Sequence, residues 1–273
     1  LAGRYIQFQV HPLGYSEFLE FYKFRNTTEK VKKYLLIGGM PYLASLPEVT
    51  ENAVLAREYL RNVYESILLR DVVTRERVRN VRFLENLTSY LADNVGNLFS
   101  ANSISKYLKS QRINMPVQTV ISYLRALENS FFIAKLECRN VKGLKIFEIG
   151  EKYYFEDLGL RNVISREGAE NEMQKLVENS VYLFLVQSGF AVSGGRDRER
   201  EIDFVAEKDR RRIYVQACYR ISGSAVEERE FGNLQAIDDH FPKYVVTLDD
   251  EYPAVNRKGI EHRKLKDFLT MEL

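Results

Sequence analysis

The stretch EREIDFVAEKDRRRIYVQACY, Glu199 to Tyr219, constrains this chain more than any other, because apolar and polar residues alternate on both sides of a polar turn. A two-residue turn at Asp209-Arg210 pairs residues whose numbers sum to 419. Ile202 then faces Ala217, Phe204 faces Val215 and Ala206 faces Ile213, which makes one face wholly apolar. The other face pairs Glu201 with Cys218, Asp203 with Gln216 and Val205 with Tyr214. A slip of one residue would mix the two faces, so the alternation fixes the register.

The hairpin sits in a run of elements that reads helix (Ala169 to Ser188), strand (FAVSG), hairpin, helix (Val226 to Ile237), strand (KYVVTL) and a closing helix near Lys264 to Leu269. This order predicts an α/β sandwich of about 100 residues with a mixed central sheet covered on both sides.

Upstream the rhythm is helical. A strand is expected over Arg4 to Val10, then a short helix through Ser16 to Phe21. Helices are expected over Thr28 to Ile37 and Glu51 to Asp71, the second with Leu55, Tyr59, Val63 and Ile67 as its buried stripe. Another follows over Val81 to Asn94. Two short helices flank a tight turn, one starting after Asn102-Ser103 and one at Pro116, and a β-prone hairpin spans FFIAKLECRN to IFEIGEKYYFED.

Helices, a helix pair and a hairpin make the order of a winged helix-turn-helix, whose second helix enters the major groove. Its outward positions are Gln118, Thr119, Ser122, Tyr123 and Arg125, and Arg139, Lys142 and Lys145 belong to the wing. Charge fits this reading locally: residues 100–147 carry +6, whereas the whole 273-residue chain carries only +2. The alternative is an interdomain packing module whose charges form a solvated face.

Hydrophobic residues at 45% and charged residues at 29% describe a globular chain with no membrane-spanning run and no secretory pattern. Cys138 and Cys218 are isolated, so the expected location is a reducing cytoplasm. Leu1 stands inside a strand-like stretch, which suggests a piece of a longer protein.

Asp203 and Gln216, with Cβ atoms roughly 5 Å apart on the polar face, are a candidate pair for a hard cation such as Mg²⁺. A metal-dependent nuclease would use two carboxylates there, with a lysine to position the nucleophile. Here the second ligand is an amide, and Cys218 carries no charge in place of the lysine. The alternative is a polar face that is merely solvated or covered.

Glu-Ile-Asp-Phe-Val, a turn and Tyr-Val-Gln-Ala-Cys resemble the PD-(D/E)xK motif of the restriction-endonuclease-like fold. Asp203 matches the first acid, Gln216 stands at the second and Cys218 at the lysine, while Glu178 resembles the extra acid of the preceding helix. Segments such as LAGRYIQFQVHPLGYSEFLEF, IGGMPYL, REYLRNVYESILLRDVV and REFGNLQAIDDHFPKYVVTLD further resemble a bacterial and archaeal family of AAA-type ATPases that end in a nuclease-like domain of unknown function.

That resemblance implies the C-terminal portion of such an ATPase, α+β and multidomain: the end of the ATPase core with a helical lid over 1–78, a winged helix-turn-helix over 79–165 and a restriction-endonuclease-like domain over 166–273. It implies ATP and Mg²⁺ in the intact protein but no cofactor in this chain, since neither Gly38-Gly39 nor Gly194-Gly195 opens a GxxxxGK(S/T) loop. Arg4 would contact nucleotide only in the intact assembly. The implied role is recognition of DNA or of a protein partner, with a degenerate nuclease set at Glu178, Asp203, Gln216 and Cys218. Two rivals remain: a Mg²⁺-dependent nuclease using Asp203 with Glu178 or Glu201, and a protein-interaction module that binds no nucleic acid.

Overall fold

The computed structural model describes residues 8–46, 51–76, 78–98, 100–110, 112–113, 115–140, 150–197, 200–253 and 255–273. It is a mixed α and β structure in which one sheet organises the C-terminal half.

The helical half opens with α1 (Tyr15–Phe21) and α2 (Thr28–Ile37). Thr27 caps α2 by accepting from the Lys30 amide, as its hydroxyl and position require. After Gly38-Gly39 come α3 (Pro41–Ala44), α4 (Ala53–Ile67) with widened π-type turns over Leu68–Arg75, and α5 (Val81–Asp93). The expected stripe on α4 is rotated by about one residue: Ala56 and Leu60 are buried, whereas Leu55 is 42% exposed. A stripe read at i, i+4 leaves the rotation of the helix open by one position, and packing decides it. Of the strand expected over Arg4 to Val10, residues 8–10 are irregular and exposed, and Arg4 lies outside the described residues.

Next come α6 (Ala101–Ser110) and α7 (Val117–Asn129), the expected helix pair, then β1 (Ile133–Asn140), β2 (Glu151–Phe155) and α8 (Leu158–Ile164). The remaining elements are α9 (Met173–Gln187), β3 (Ala191–Asp197), β4 (Arg200–Lys208), β5 (Arg211–Cys218), α10 (Ser224–Gln235), β6 (Lys243–Thr247), β7 (Asn256–Arg257), β8 (Ile260–Lys264) and α11 (Leu265–Phe268).

The strands form a single sheet of order β2-β1-β3-β4-β5-β6-β8-β7. Strands β3, β4 and β5 are an antiparallel meander, and α10 crosses over to bring β6 parallel to β5. The hairpin expected as a wing is part of this sheet. The first half of β1 pairs with β2, and its second half runs parallel to β3 through Cys138 and Gly194. A Cβ at Gly194 would stand 2.6 Å from the Cys138 sulfur, so glycine lets the two strands meet.

Two apolar clusters follow from the sheet's two faces. The larger runs from Tyr15 to Leu269 and packs α9 against Phe204, Ala206, Val215 and Ala217. The smaller holds Ile202, Val205, Tyr214 and Cys218 against Phe231 and Leu234 of α10.

Helix α8 is a polar hub within the larger core. Asp157 caps it through the Leu160 amide and also accepts from the Gly39 amide at 2.7 Å. Buried Arg161 donates to the Ala92 carbonyl through Nε at 2.9 Å and Nη2 at 2.6 Å and pairs with Glu172. Asn162 donates to the Leu35 and Leu36 carbonyls at the end of α2. No helix among the described residues is long and apolar enough to cross a membrane.

Candidate functional site: a lysine among three carboxylates

The hairpin register is as the alternation required from Phe204↔Val215 to Lys208↔Arg211. Beyond Phe204 it breaks. The pairing of β3 with β4 shifts between Ser193 and Gly195, so β4 carries an extra residue there. Ile202 therefore joins the Val205 and Tyr214 cluster instead of continuing the Phe204 face, which corrects the expected pairing of Ile202 with Ala217. Asp203 and Phe204 both reach the α9 side: Phe204 packs its ring against Tyr154 and Tyr182, and Asp203 approaches Lys152.

Lys152 is the residue that sequence reading missed. It comes from β2, where the period-two alternation of EKYYF places Lys152 and Tyr154 on the same side. Its ammonium lies 2.8 Å from Glu201 Oε1, 3.2 Å from Glu178 Oε1 and 3.9 Å from Asp203 Oδ1. The side chain is only 2% exposed. Tyr154 donates its hydroxyl to the same Glu178 oxygen at 2.7 Å and stacks on Tyr182. The signal for Lys152 was a lysine inside an otherwise apolar strand, but the strand had been assigned to a separate wing.

Charge in this cluster is unbalanced. Burial disfavours the Lys152 ammonium, but Glu178, Asp203 and Glu201 outweigh it and raise its pKa. Asp203 moves the other way in consequence: burial, then the neighbouring Glu178 charge, push its carboxyl well above the usual range, against the pull of Lys152 and the Ala217 amide. Three acids with one cation thus favour keeping an extra proton.

The candidate metal pair is not disposed to chelate. Gln216 Oε1 accepts from the Asp203 amide at 3.3 Å, and Asp203 Oδ2 accepts from the Ala217 amide at 2.9 Å. Among the described residues, no group of three or more His, Cys, Asp or Glu is placed to hold a metal ion. Cys218 is buried in the smaller cluster, where burial first and then Glu230 and Asp203 raise its thiol pKa. Glu178 does meet Asp203, around Lys152, and Glu201 completes the set with its side chain 46% exposed.

On α7, Gln118, Ser122 and Arg125 are exposed and Thr119 is partly buried. Tyr123 is not outward: it is buried, accepts from the Asn80 amide at 3.0 Å and packs on Phe83. Arg139 is exposed but 3.5 Å from Glu137, and its neighbour Lys135 pairs with Glu151 at 3.2 Å. Lys142 and Lys145 lie outside the described residues.

An uncharacterized protein of Haemophilus influenzae is 31% identical over 274 residues, covering 98% of this chain and 66% of that protein. An uncharacterized protein of Methanocaldococcus jannaschii is 24% identical over 266 residues, covering 92% of this chain and 59% of that protein. The chain thus spans less than two thirds of the length of either relative. No solved structure matches it. Residues 28–171, which include α2, the hub on α8 and Lys152 but not the three acids, match a family described as a domain of unknown function, DUF8612, and the chain belongs to that family.

Proposed function

We propose that this chain is the recognition part of a longer AAA-type ATPase, contacting DNA through α7 and using a restriction-endonuclease-like sheet as a scaffold that does not cleave. The order α9, β3, β4, β5, α10, β6 supports the scaffold reading, because it supplies a meander followed by one parallel strand. The observation that carries the loss of cleavage is the Lys152 ammonium, which occupies the space between Glu178, Glu201 and Asp203. The outward Gln118, Ser122 and Arg125 support DNA contact by α7. The hairpin contributes less charge than its basic residues suggested, because Arg139 and Lys135 have acidic neighbours. ATP and Mg²⁺ belong, in this reading, to the part of the longer protein that this chain does not contain.

Fluorescence anisotropy on duplex DNA across a salt series tests it. Affinity falls steeply with salt, and Arg125→Ala lowers the slope of log affinity against log salt by about 1. Failure to bind at low salt would leave the protein-partner role instead. A second reading is favoured by the same lysine: with Lys152 beside Asp203, Glu178 and Glu201, the residue types of a Mg²⁺-dependent nuclease are gathered in one place. Plasmid cleavage with Mg²⁺ or Mn²⁺ that vanishes in Asp203→Ala would establish that reading and end the first.

A further inference from the structure

We infer that the Lys152 ammonium is a tethered cation filling a latent divalent-cation site, so that the native protein takes no divalent ion there and loss of the lysine opens the site to one. The inference stands on the cluster's geometry and holds whether or not the chain binds DNA.

Three observations lead to it. The ammonium lies between carboxylates from two elements, α9 and β4, at 2.8 to 3.9 Å, so a positive charge already stands where their fields converge. A hard divalent ion needs oxygens at about 2.0 to 2.6 Å. The acids are held slightly too far apart for that while the lysine is present. Glu201, with 46% of its side chain exposed, has room to move inward once the ammonium is gone.

The negative charge is also greater than one ammonium can match. A fourth carboxylate, Glu230 on α10, lies close enough for its charge to act on Asp203. It is buried, and its Oε2 has no hydrogen-bond partner. A buried carboxylate oxygen without a donor is costly, and a divalent ion near Asp203 would offset the field that Glu230 adds. An ordinary structural ion pair makes the opposite forecast, since deleting its cation would leave a damaged core with no affinity for metal.

The full chain is titrated with Mn²⁺ alone, by calorimetry and by thermal denaturation, and the melting experiment is repeated with Ca²⁺. The wild type shows no binding that depends on Asp203 and no rise in melting temperature. Lys152→Ala binds Mn²⁺ and gains several degrees with either ion, and Lys152→Ala with Asp203→Asn loses both responses. If Lys152→Ala does not fold without metal, either ion restores its cooperative transition. Lys152→Met, which keeps the apolar stem, carries the same expectations. Wild-type binding that Asp203→Asn abolishes would overturn the inference, and so would metal-insensitive Lys152→Ala and Lys152→Met proteins.

Discussion

Two buried ionic clusters lie within the same core and are built on opposite principles. Around α8, Arg161 and Lys175 together meet Glu172, and Arg161 also satisfies the Ala92 carbonyl. Burial there works against the Glu172 charge, but Lys175, Ser165 and Arg161 outweigh it and hold the carboxyl below its usual range. Around Lys152 one cation meets three acids, and Asp203 is pushed up. Burial acts on both carboxyls in the same sense. The count of matching charges decides the direction, so a matched cluster serves as a fastener and an unmatched one holds electrostatic strain of the kind found at working sites.

Breaking the matched cluster is the harshest test. Arg161→Met leaves the Ala92 carbonyl without its donor and Glu172 short of a cation, at a cost of roughly 3–5 kcal/mol in chemical denaturation. A loss below about 1 kcal/mol would mean that the hub is not held by charge.

Asp157 sharpens the comparison from within the hub. Burial, opposed by amides of Leu160, Gly39 and Gly159, raises its pKa to about 6. Because the folded value lies above the unfolded one, its contribution is fully present below about pH 4 and is lost as pH rises through about 6, a swing of roughly 3 kcal/mol. Asp157→Asn removes that slope and lowers overall stability, since its amide nitrogen would meet the Gly39 N–H. Denaturation midpoints from pH 4 to pH 7 check both outcomes, and a variant as pH-dependent as the wild type would refute the assignment.

The smallest effect, and the one of opposite sign, belongs to the unmatched cluster. Asp203 also has a raised folded pKa, so its contribution is present at low pH and fades as pH rises. Asp203→Asn keeps an acceptor for the Ala217 amide and removes one excess acid, so stability at pH 7 rises by no more than ~1 kcal/mol. A clear destabilisation at that pH would show that all three acids are needed by the lysine.

Much of the architecture was legible in local pattern. The bounds of α2 follow from Thr27 and Gly38, and the pairing from Phe204↔Val215 onward follows from alternation alone. Glu178 and Asp203 were singled out correctly as neighbours because both belong to the same helix-and-hairpin run. Tyr123 was misplaced because a tyrosine at a helix surface reads as outward until a backbone amide such as that of Asn80 claims its hydroxyl.

The sequence by itself determined the elements, their register and the presence of acids on the hairpin, because helix and strand periodicity are properties of neighbours in the chain. Only the tertiary structure decided what those acids face. The extra residue in β4 turns Asp203 toward α9, and the parallel pairing of β1 with β3 carries β2, and Lys152 with it, into the same cluster. Both depend on strands meeting across long stretches of chain, where no local period records the contact and the balance of charge emerges only once the sheet is assembled.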